Sequence, residues 1–76
     1  MATDNELISW AKLIEGVGGE VNLSTYVLFS KISEAAKGDD TVFTRLRELM
    51  VKHTNMGSTQ VSEFMRKAEE YHQRYA

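Results

Sequence analysis

Proline is absent from all 76 residues, and the five glycines fall only at the edges of segments whose apolar residues recur at helical spacing. Proline would break a helix, and glycine costs a helix interior about 1 kcal/mol relative to alanine, so the chain can form helix wherever glycine is missing and should stop where it occurs. No segment alternates apolar and polar residues as a half-buried strand does. These constraints predict an all-α protein, a compact four-helix single domain over 1–76, with helices at about 4–15, 23–37, 41–54 and 59–75.

The ends of these segments carry capping chemistry. Thr3 can accept a hydrogen bond from a free backbone N–H while Glu6 reaches back, a capping box, and Leu7, Trp10, Ala11 and Ile14 then form one stripe that Gly16 ends. Asn22 is placed as the cap of the second helix, with Val21 and Tyr26 spaced as a hydrophobic staple. Leu28, Phe29, Ile32, Ala35 and Ala36 share one face of that helix, and Gly38 stops it. Asp39 and Asp40 are expected to open the third helix, where carboxylates suit both the cap and the positive end of the dipole. Its buried face is read as Val42, Phe43, Leu46, Leu49, Met50 and His53. In the fourth helix Val61, Phe64, Met65, Ala68, Tyr71 and Tyr75 follow the i, i+3, i+4, i+7 spacing.

Leu23, Tyr26 and Val27 do not fit the second helix's stripe. A helix lying on a surface should be polar outward, so this surplus, with the outer sides of Trp10 and Leu13, marks a surface for a partner. The alternative is that these side chains fill the core.

At this size a core supplies about 3–5 kcal/mol of net stability unless something staples it, and with no cysteine no disulfide can. The lack of cysteine also removes thiol catalysis and the common structural zinc sites, and fits a reducing compartment. The opening MATDNE is acidic and the longest apolar run is only Tyr26-Val27-Leu28-Phe29, so neither a signal peptide nor a spanning segment is expected, and the localisation read from the sequence is cytoplasmic. Without a secretion signal, Asn22-Leu23-Ser24 reads as a helix cap and not as a glycosylation sequon. The net charge of −2 is unevenly spread: residues 1–40 carry three lysines against seven acids, and residues 41–76 carry six lysines and arginines against four acids.

Residues 47–66 resemble the helix-turn-helix family of DNA-binding proteins. With Asn55 in the place of the left-handed turn glycine, Met56, Val61 and Phe64 land on that family's apolar positions, and NMGSTQVSEF parallels its Gly-Val-Ser-x-x-x-Val-Ser pattern. The resemblance implies that Ser58, Thr59, Gln60, Ser62 and Arg66 face the major groove, where glutamine pairs with adenine and arginine with guanine. The sequence departs from the family where the preceding helix should meet the recognition helix: that face holds Arg47, Val51 and Thr54, away from the stripe at Val42, Leu46 and Leu49. Any amphipathic helix entered by a Met56–Val61 staple would show the same spacings.

Catalytic constellations are sparse. His53 and His72 lack metal-binding spacing, so no metal site is expected, and His53 reads as a half-buried helix-end residue. Glu69 and His72 lie one turn apart as an ordinary surface pair, and GVGG lacks the Gly-Lys-Ser/Thr ending of a phosphate loop. The chain is therefore read as non-enzymatic and without cofactor: a regulator, inhibitor or assembly factor that binds another protein or itself, the alternative being a helix-turn-helix DNA-binding regulator.

Overall fold

The computed structural model describes residues 2–18 and 22–75. Four helices account for most of them: α1 (Asp4–Gly16), α2 (Leu23–Lys37), α3 (Val42–His53) and α4 (Ser58–Tyr75). Each boundary lies within a residue or so of its expected place, because the caps that set it are local.

Thr3 Oγ1 accepts the Glu6 N–H at 3.2 Å, which is the Thr3 half of the expected box. At α2 the box is complete but its second member is Thr25: Asn22 Oδ1 accepts the Thr25 N–H at 3.1 Å and Thr25 Oγ1 accepts the Asn22 N–H at 3.2 Å. Thr25 is buried, so this cap is shielded from competing water. The Val21–Tyr26 staple falls partly outside the described residues. Gly16 belongs to α1, and the left-handed residue that turns the chain is Gly18, at φ 68° with its N–H on Glu15 O. Only glycine takes that conformation without a Cβ clash.

The opening of α3 differs from expectation. Its cap is Thr41, which makes no side-chain cap bond, and Asp39 binds Thr41 through Oδ1 and the Arg45 guanidinium through Oδ2 at 3.0 Å. Asp40 is exposed. Asp39 therefore anchors the α2–α3 link through an ion pair while accepting the Thr41 N–H at the opening of α3. Arg45 also donates to Asp4 Oδ1 at 2.8 Å and to Ala2 O at 3.0 Å, tying the N-terminal segment to α3.

The pairing does not follow chain order. α1 packs mainly on α3 and α2 mainly on α4, while α3 also touches α2 and α4. The core between them holds Leu7, Ala11 and Ile14 of α1, Leu28, Phe29 and Ile32 of α2, Val42, Leu46 and Met50 of α3, and Val61, Phe64, Met65 and Ala68 of α4. The expected stripes are thus buried, with two corrections. His53 is exposed, because α3 ends as its last turn leaves the core, and Tyr75 is exposed at the far end of α4, beyond the helices that cover the earlier turns. The whole measures 28 × 24 × 18 Å. Among the described residues no helix is long and apolar enough to cross a membrane.

Candidate functional site

Helix α2 turns Thr25, Leu28, Phe29, Ile32, Ser33 and Ala36 inward. At about 100° per residue, Leu23 and Val27 then point the opposite way. Leu23 is 86% exposed and Val27 57%. Two large apolar side chains one turn apart thus stand in water on the same helix.

Tyr26 lies at the flank of this face and is half exposed. The sequence reading set it away from the Phe29 stripe; instead its ring meets Phe29 edge to face, with centroids 5.6 Å apart, and lies 6.2 Å from Tyr71 of α4. Tyr71 in turn contacts Phe29 at 5.7 Å and Tyr75 at 4.7 Å. Four aromatic rings from two helices therefore run as one cluster from the core to the surface. They floor a groove of about 310 Å³ whose rim is Lys67, Glu70 and Arg74. Sequence reasoning missed this groove because Tyr71 and Tyr75 fit the core periodicity; the signal was the second row, Lys67, Tyr71, Arg74 and Tyr75, which shares a face of α4.

Trp10 and Leu13 do not join this site in the way expected. Leu13 is exposed, but Trp10 packs against the core and lines a separate shallow groove with Glu6, Lys31, Glu34, Ala35 and Asp39. The five residues expected to bind a partner thus divide between two grooves and an open helix face.

The helix-turn-helix residues are exposed: Ser58, Thr59, Gln60, Ser62 and Arg66 all reach the surface of α4. The turn itself differs from the family's. Among the described residues no non-glycine takes a positive φ, so Asn55 does not take the left-handed conformation the resemblance required, and its N–H is held by Glu15 Oε2 at 2.7 Å. Gln60 Oε1 accepts the Gly57 N–H at 3.1 Å, the N3 half of a capping box on α4. Arg66 is clasped by Glu63 and Glu70, and the carboxylates hold the guanidinium's pKa above its ordinary value while Arg66 holds the Glu63 carboxyl below its own. On α3, Arg47 is exposed and Val51 is 61% exposed, so the face the family buries against its recognition helix is open here.

His72 departs from its expected pairing with Glu69. Its Nδ1 lies 2.7 Å from Ser33 Oγ, and its ring meets Phe43 at a tilt with centroids 5.4 Å apart, so it joins α2, α3 and α4 at the edge of the core. Ser33 is buried, and neither described groove is lined by it or by His72. Among the described residues no three His, Asp or Glu side chains converge as metal ligands. Comparison with protein-family models, curated proteins and solved structures finds no match.

Proposed function

We propose that this protein acts by binding another protein, as a regulator, inhibitor or assembly factor, or by self-association, through the outward side of α2. The observation that carries this reading is the exposure of Leu23 and Val27 beside half-exposed Tyr26. Scattered apolar residues are normal on a surface, but two on successive turns that run into an aromatic cluster make a contiguous patch. Burial of such side chains is worth about 1.5–3 kcal/mol each, which gives a partner a driving force that α2 leaves unused within the chain. Tyr26 adds the rigid, amphipathic contact that interface hot spots favour. The cysteine-free sequence supports a reducing compartment such as the cytosol.

Val27→Asp tests this directly. Val27 is 57% exposed and lies outside the buried core, so the variant should melt within about 0.5 kcal/mol of the parent stability. It should lose self-association in light scattering, or the partner recovered with the parent from its host, because an unpaired carboxylate enters a desolvated interface. A folded variant that still binds everything the parent binds would place the interface elsewhere.

The helix-turn-helix reading has in its favour the exposure of its five side chains and the burial of Val61 and Phe64, with Met56 packed on the core. Two of them already have partners, Gln60 the Gly57 N–H just ahead of α4 and Arg66 the carboxylates of Glu63 and Glu70 within it, and a groove contact would first have to break these bonds.

A further inference from the structure

The groove between α2 and α4 has a chemistry distinct from the open face beside it. Its floor is aromatic, its rim carries Lys67 and Arg74, and neither cation makes an ion pair among the described residues. The one carboxylate at the rim, Glu70, is already bound by Arg66 on the neighbouring face of α4. On either side of an apolar surface the groove thus presents two positive charges against one carboxylate, Glu70, which is shared with Arg66; Glu63, outside the groove, lies near Lys67. In a protein of net charge −2 this is a local reversal of sign.

Resting on the reading of the chain as a protein-binding module, we infer that this groove takes an acidic, extended segment of a partner protein, with one large apolar or aromatic side chain set between two carboxylates. The dimensions support it. Lys67 and Arg74 are seven residues apart on one helix face, about 10 Å along the axis. In an extended polyproline II segment, with three residues per turn and a rise of about 3.1 Å, side chains three positions apart lie on one face and span about 9 Å. The carboxylates would then meet Lys67 and Arg74 while the apolar side chain rests against Tyr26, Tyr71 and Tyr75. The tyrosine hydroxyls, at the ring tips, can bond the segment's backbone. A groove of about 310 Å³ holds one or two such side chains, not a folded domain. Two cations also fall short of the continuous basic track that a single-stranded nucleic acid needs, although the stacking surface is of the right kind.

The test is selection of a phage-displayed random dodecapeptide library on the full chain, followed by titration of the enriched sequences as fluorescein-labelled peptides. Enrichment of a large apolar residue flanked by Asp or Glu about three positions apart is expected. Lys67→Glu and Arg74→Glu should each weaken those peptides about tenfold, and added salt should weaken the parent but not the variants. Arg47→Glu makes the same change of net charge on exposed α3 and should leave binding intact. Should Lys67→Glu fail to fold, Arg74→Glu with Lys67→Gln carries the comparison. The inference is overturned by enrichment of neutral or basic peptides, by no enrichment, or by acidic peptides indifferent to both reversals. It is equally overturned if the reversals abolish binding of a fluorescein-labelled dT12 oligonucleotide or self-association in sedimentation velocity, since the occupant is then nucleic acid or a second copy. If Val27→Asp removes a host partner that the groove variants retain, the open α2 face stands as the interface and the groove assignment alone falls.

Discussion

Asp39 is a residue whose ionisation contributes to the fold. The Thr41 side chain and backbone donate to it and the Arg45 charge adds to their effect, so its carboxyl titrates below the ordinary aspartate value of about 3.9. A carboxylate with a depressed folded pKa contributes stability that is fully present above the unfolded value and is lost as pH falls through the folded one. Thermal melts of the parent should therefore lose stability on acidification below about pH 4, and Asp39→Asn should lose less over that range while melting lower than the parent at pH 7. Arg45→Ala should also lower the pH 7 melt and expose the N-terminal segment to proteases, because Ala2 and Asp4 lose their shared partner. Protection of residues 2–4 from exchange unchanged in Arg45→Ala would remove this account of the clamp.

At the scale of the helix, the N-caps of α1 and α2 are where sequence and structure agree, since such a cap joins residues three apart and both lie in view. Asn22→Ala should cost about 0.5–2 kcal/mol by leaving the Thr25 N–H without its acceptor, and thermal denaturation measures it. Gln60→Ala should cost about 0.5–1.5 kcal/mol by freeing the Gly57 N–H. A loss at Gln60 in the absence of any nucleic acid would show that its capping role is sufficient to explain the residue. What the sequence hid were side chains with distant partners. Asp39 looked like a helix cap because Arg45, six residues away, and the Asp4 that shares it come together only after folding. His72 looked paired with Glu69, one turn away, because Ser33 lies 39 residues earlier. The open face of α2 was legible, as Leu23 and Val27 break the stripe. Its extension onto α4 was not, because Tyr71 and Tyr75 satisfy the core period equally well, and only the packing of α2 on α4 distinguishes a buried ring from a rim.

At the scale of the molecule, α3 is the hub, packing on α1, α2 and α4, and Leu46 sits fully buried on it. Leu46→Ala should cost about 2–5 kcal/mol, comparable with the total of about 3–5 kcal/mol that a domain of this size can hold. The variant should be largely unfolded by circular dichroism at 37 °C. A cooperative melt near that of the parent would mean that the site collapses around the missing methyl groups.

The crossed pairing, α1 with α3 and α2 with α4, means that the two halves of the chain are interlocked. A chain opened at Gly38 gives one piece with α1 and α2, whose main packing partners are both on the other piece. The first piece should be a random coil in isolation, and the second a fluctuating helical hairpin. Mixed in equal amounts, they should restore each other's structure and give back the ellipticity of the uncut chain, with a midpoint that rises with concentration as an association equilibrium requires.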